Sequence, residues 1–144
     1  MATREQVMNA LLALLKATGS FVTISRRNRN PEGLAPSQSP ALFLVEALEE
    51  YSRPSPTVQP KRALVVKAIF YNDVGPDENA IPSTPINNAL DALDVALKPD
   101  DPATNRFTLG GLVFSAMIEG TIEKASGDVT GKSLAVVPIK IVLP

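Results

Sequence analysis

Four groups of residues in this 144-residue chain have types and spacing that raise the question of chemistry. SGDVTGKS (126–133) ends in Gly-Lys-Ser, the triplet that closes a phosphate-binding loop. Such a loop requires a glycine separated from the Gly-Lys pair by four residues; that position holds Ser126, and Gly127 is one too close. It must also open a helix whose free N–H groups meet the phosphate, whereas the SLAVVPIKIVLP that follows has strand composition. A hairpin turn is the expectation. The acidic pairs Asp77-Glu78 and Asp100-Asp101 are carboxylates of the kind that bind divalent cations or exchange protons. Both stand in polar, turn-like stretches beside proline with no third ligand in pattern, which suits solvated loop charges better. Arg26, Arg27 and Arg29 form a cationic cluster able to meet phosphates, a partner's carboxylates or simply solvent. Gly110-Gly111 permits close approach of a ligand to the backbone, but glycine leading into a strand more commonly marks a tight turn or bulge.

The remaining catalytic inventory is thin. Histidine, cysteine and tryptophan are all absent. Without cysteine there is no disulfide, thiolate metal site or thiol nucleophile. Without histidine the chain lacks the one side chain that ordinarily exchanges protons near neutral pH. An enzyme built on this sequence would have to work with carboxylates, lysine or tyrosine, and no cofactor motif is present.

These residues must be positioned by a fold, and the length suits one domain over 1–144. A chain of this size buries enough surface to stand without a metal or disulfide. Residues 4–17 carry Val7, Leu11, Leu14 and Leu15 at helical spacing, with Thr3 and Gln6 spaced as a capping box and Gly19 at the stop. Phe21–Ile24 has strand composition. From Arg26 to Pro40 periodicity disappears among prolines and polar residues, so a long mobile loop is expected at about 26–40, without apolar residues to anchor it. ALFLVEAL (41–48) reads as a strand after its proline, and KRALVVKAIFY (61–71), apolar on both faces, as a central one. Thr84-Pro85 forms a helix-start signal before Ile86, Ala89, Leu90, Leu93 and Leu97, with Asp91 and Asp94 on the solvated side. Strands are expected at 112–123 and 133–144 as an antiparallel pair, the second at an edge or bulged because Pro138 lacks an N–H. The expected class is α+β: one four- to five-stranded mixed or antiparallel sheet with two helices packed on one face.

No apolar run approaches the ~20 residues that span a bilayer, so no membrane partner is expected. The opening Met-Ala-Thr-Arg-Glu leads into an amphipathic pattern without a signal-cleavage site, and the expected compartment is a cytoplasm.

Three stretches read in order sharpen the functional reading: IPSTPINNALDALDVAL (81–97), TLGGLVFSAMIEGTIE (108–123) and SLAVVPIKIVLP (133–144). Together they resemble the C-terminal half of the phage tail terminator, or minor tail protein U, family of long-tailed bacteriophages. The likeness rests on an Ile-Pro…Ile-Asn helix start, an Asn-x-x-Thr-Leu-Gly-Gly-x-Val segment (Asn105 to Val113) and a terminal Val-Pro-Ile strand, with weaker likeness at 39–47 and 61–71. The 26–40 stretch departs from the pattern. The resemblance implies a structural virion protein that assembles as a hexameric ring at the head-proximal end of the tail. Such a ring ends tube polymerisation and forms the surface for head–tail joining. Its implied partners are further copies of itself, the tail tube protein and a head connector or neck protein, with DNA passing through without sequence-specific binding. The competing readings are a small ligand-binding or enzymatic α+β domain and another phage neck or tail-completion protein.

Charge is unevenly distributed. Residues 1–67 hold nine Lys/Arg and five Asp/Glu, and residues 68–144 hold five and ten. A closed ring joins one surface of each copy to a different surface of the next, so opposite charges suit the two sides. The candidate interface residues are Arg26, Arg27, Arg29, Lys61 and Arg62 on the basic side, and Asp73, Asp77 and Glu78 on the acidic side, with Asp91, Asp94, Asp100 and Asp101 in the wider acidic set.

Overall fold

The computed structural model describes residues 2–126 and 131–144. The first helix, α1 (Arg4–Ala17), begins at its capping box: Thr3 Oγ1 accepts the Gln6 N–H at 3.2 Å, and the Gln6 side chain accepts the Thr3 N–H at 2.8 Å. Strand β1 (Thr23–Ser25) follows, then two short 3-10 turns at Pro31–Gly33 and Pro36–Gln38. The remaining elements are β2 (Ala41–Ser52), β3 (Lys61–Asp73), helix α2 (Ser83–Ala96), β4 (Ser115–Ile118), β5 (Glu123–Ala125) and β6 (Lys132–Val142). They form a six-stranded sheet in the order β1-β2-β3-β6-β4, with β5 also on β6. The β1–β2 pair is parallel and all others are antiparallel, so the sheet is mixed and the class is α+β, with more strands than the four or five expected.

Period-2 alternation on the long strands assigns the faces. Leu64, Val66, Ala68 and Phe70 of β3 lie beside Ala135, Val137, Ile139 and Ile141 of β6, and all eight are buried. Both helices cover this face. Val7, Met8, Leu11 and Leu15 of α1 and Ile86, Ala89 and Leu93 of α2 join the same core. The opposite face carries a smaller cluster in which Leu34 covers Ala41, Phe43 and Tyr71. That contact corrects the expectation that 26–40 has no apolar anchor: Leu34 is one, held over the sheet by the two proline-started turns.

Three further expectations change. The second helix starts at Ser83 rather than after a Thr84 cap, because the Thr84 N–H already bonds the Ile81 carbonyl at 3.1 Å and winds the chain one residue sooner. Pro85 still lies in the first turn, where its missing N–H costs nothing. The strand expected at 112–123 is broken in two. Pro138 is the reason: its carbonyl accepts from Glu119 at 3.2 Å but it has no N–H to return, so the neighbouring chain leaves the ladder between β4 and β5. Strand β6 itself is interior, between β3 and β4, and pairs with β3 in unbroken register through Pro138, so the proline shows as a gap in the neighbouring chain and not as an edge. The turn expected within 126–133 falls on residues 127–130, outside those described, while Lys132 and Ser133 are strand residues.

Candidate functional site

The sheet ends near Ser52 and Lys61 in a row of side chains beyond the core. Tyr51 pairs with Arg62 across β2–β3, the Leu143 N–H bonds the Arg62 carbonyl at 2.9 Å, and the Phe114 N–H bonds the Val142 carbonyl at 2.9 Å. The row therefore runs Tyr51, Arg62, Leu143, Phe114 over four neighbouring chain segments, a width of about 14 Å at ordinary strand spacing. Two aromatic walls enclose a groove of about 840 Å³, also lined by Pro60, Lys61 and Pro144. Tyr51 is 60% exposed and Phe114 52%. Two large aromatic side chains are thus left partly in water at this end of the sheet.

Both rings are held from behind. Arg4 on α1 forks onto Glu49 at 2.6 and 2.9 Å and donates to the Tyr51 hydroxyl at 2.9 Å. The Glu49 hydrogen bond raises the Arg4 pKa further, and Arg4 in turn lowers that of Glu49, so both stay charged through the physiological range. On the other wall, the Arg106 guanidinium lies 3.8 Å over the Phe114 ring. Thr104 accepts from Arg106 at 2.9 Å and donates to Asp101 at 2.6 Å, fixing the cation above the ring. Rings immobilised in advance lose little freedom on binding.

The segment that carries Phe114 is built by the Thr-Leu-Gly-Gly stretch. Asp100 is its hub: it accepts from the Thr108 N–H at 2.7 Å, the Thr108 hydroxyl at 2.8 Å and the Gly110 N–H at 2.9 Å. The Gly110 bond, with those from Thr108, holds the Asp100 carboxyl below its usual pKa. Leu109, Gly110 and Gly111 all have positive φ, and Leu109 is nevertheless buried. Gly110-Gly111 is thus a tight turn. Asp100 fastens this turn and Asp101 the preceding one, where it accepts from Ala103 and Thr104, closer roles than the solvated loop charge expected of them. The hydrogen bond from Thr104 lowers the Asp101 pKa in the same way.

The charged candidates fall into three places. Lys61 and Arg62 flank the groove. Asp73, Asp77 and Glu78 lie at the other end of β3, twelve residues from Lys61, or about 40 Å along an extended strand. Asp73 and Asp77 each accept a backbone N–H two residues on, from Gly75 at 2.8 Å and Asn79 at 2.9 Å. Arg26 lies elsewhere, beside α1: it donates to Glu5 at 2.8 and 3.0 Å and to Asn9 at 3.0 Å, with Glu46 at 3.5 Å. The Glu5 hydrogen bond raises the Arg26 pKa. Arg27 and Arg29 are exposed beside it. The structure therefore brings Lys61 and Arg62 together with an apolar groove and separates them from the arginine cluster.

No protein-family model matches the chain, and no curated protein is similar enough to count as a relative.

Sequence reasoning missed Tyr51, Phe114 and their two arginines. The run Glu46-Ala47-Leu48-Glu49-Glu50-Tyr51 held a usable sign, since a strand that turns from apolar to charged is leaving the core. For Phe114 there was none, because a strand beginning at 112 would have given it an ordinary alternating position. Among the described residues, no group of three or more acidic side chains could hold a metal ion, and no helix is long and apolar enough to cross a membrane.

Proposed function

We propose that this chain is a non-catalytic, ring-forming virion subunit of the tail-terminator kind. It would cap the head-proximal end of a phage tail tube, stop the addition of tube subunits and offer a surface for head–tail joining. The class comes from the resemblance over residues 81–144. The observation that supports an assembly role is the sheet-end groove, where Tyr51 and Phe114 are exposed yet held by Arg4 and Arg106. Interface anchors are typically aromatic and arginine side chains fixed before the partner arrives.

On this reading the partners are further copies of the chain, a tube protein on one face of the ring and a connector or neck protein on the other. DNA would traverse the lumen without base contacts. The site of action is the virion, with assembly in a bacterial cytoplasm. A second reading draws on the groove's volume, which lies in the range of small-molecule pockets. Light scattering after size exclusion separates the two. The assembly reading expects a discrete particle of about six chain masses. A monomer at every concentration, with a thermal shift on adding small apolar compounds, would establish the ligand-binding reading in its place.

A further inference from the structure

We infer that the sheet-end groove receives the 76–81 segment of a second copy of this chain. The inference rests on the assembly reading and adds which surfaces meet. Three observations lead to it.

The first is charge. Arg53, Lys61, Arg62 and Arg106 all belong to the groove end of the molecule. Glu49 pairs with Arg4 and also lies in the field of Arg62, and Asp101 lies 3.7 Å from Arg106, so Arg53 and Lys61 are the cations that carry this end's positive charge outward. At the far end of β3 the segment Pro76-Asp77-Glu78-Asn79-Ala80-Ile81 projects two exposed carboxylates. The second is apolar surface. Ile81 is 63% exposed in the same segment, so an acidic strip ends in an aliphatic side chain, as the basic groove contains two aromatic walls and Leu143. Charge at the rim would select the partner and its register, while burial of Ile81 between the rings supplies most of the affinity.

The third is placement. The two surfaces lie at opposite ends of one strand about 40 Å long, so neither can satisfy the other within a chain. Two different complementary patches on one subunit give head-to-tail association, which closes into a ring when the rotation between copies allows. Arg26, engaged with Glu5, Asn9 and Glu46 of its own chain, is not needed for this contact.

The absence of cysteine makes cross-linking a clean test. Gln59 lines the groove and Asn79 lies in the acidic segment, both exposed. A chain carrying Gln59→Cys and Asn79→Cys together, treated with a short bismaleimide, should give a ladder of covalent multimers on a denaturing gel. Each single substitution should give none, because like positions do not meet in a head-to-tail contact. Lys61→Glu and Asp77→Lys should each weaken self-association at least tenfold, and the double variant should regain most of it. Phe114→Ser, at an exposed position, should weaken it by about tenfold or more with an unchanged far-UV spectrum. A particle of ring mass that gives no ladder, and that tolerates Lys61→Glu and Phe114→Ser, overturns this interface and leaves the ring standing. A monomer at all concentrations overturns both.

Discussion

The stretches 26–40 and 98–114 are both long, irregular and rich in turn-forming residues, and the molecule fixes them by different means. In 26–40 the fastening is between elements. Arg26 reaches α1 and β2 through side-chain carboxylates, prolines start two 3-10 turns, and Leu34 closes a small cluster on the open face of the sheet. In 98–114 the fastening is within the loop. Asp100 gathers backbone and hydroxyl donors, four residues adopt positive φ, and Phe107, Leu109 and Val113 enter the main core. The first stretch is tied down by adjustable surface contacts, while the second is built into the core. A loop that holds an exposed aromatic such as Phe114 in place needs the second kind of support.

The largest expected difference lies in the buried leucines. Leu109→Ala should cost about 3 kcal/mol, because the site sits against packed helices and strands that relax little around a cavity. Leu34→Ala should cost about 2 kcal/mol or less, since only a few residues surround it and the turns above can settle. Denaturant unfolding of both variants measures the gap. Equal losses, or a greater loss at Leu34, would mean that 26–40 is as deeply integrated as 98–114.

A glycine pair gives a smaller and cleaner contrast. At Gly33 and Gly110 an added Cβ meets nothing within 4 Å, so packing is alike at the two sites. Only Gly110 has a positive φ, at 68°. Gly110→Ala should therefore destabilise by about 1 kcal/mol from backbone strain alone. Gly33→Ala should be neutral or stabilise by a few tenths of a kcal/mol, because it removes freedom from the unfolded chain. Melting temperatures of the two variants should move in opposite directions or differ clearly in size.

How much of this could be read beforehand depended on the reach of each interaction. The capping box at Thr3 and Gln6 and the helical stripes of α1 and α2 are local, and they appear where spacing placed them. The class and the helix-covered face followed from period alone. Pro138 was correctly suspect, but its missing N–H is a property of a pair of strands; only the pairing shows that the neighbour breaks and β6 stays central. The charged candidates were chosen by type, and type cannot tell Arg26, already engaged with Glu5, Asn9 and Glu46 of its own chain, from Lys61 at the groove. The groove was illegible for the same reason: Tyr51 and Phe114 are 63 positions apart and come to line one groove only through the register of three intervening pairings.

The smallest effects distinguish the two polar fasteners, and here salt is more telling than pH. Asp100 has its pKa lowered by the Gly110 and Thr108 donors, and Glu5 has its pKa lowered by the hydrogen bond from Arg26. For a carboxylate depressed in the folded state, the stabilising contribution is complete above its unfolded pKa, near 4. It disappears as pH falls through the lower folded value. Asp100→Asn and Arg26→Ala should therefore both lie below the parent protein in stability at pH 7, and both gaps should close in acid. Ionic strength acts differently. The Arg26 cluster is charge against charge, with Glu5 largely in solvent, so mobile ions screen it. Asp100 is held by neutral N–H and O–H donors at short range, which salt screens little. Raising salt from low to molar concentration at pH 7 should shrink the gap between parent and Arg26→Ala while leaving that of Asp100→Asn nearly unchanged. If both gaps shrink together, Asp100 acts mainly through Arg106 and the charges around it, and the 98–114 loop is fastened by the same means as 26–40.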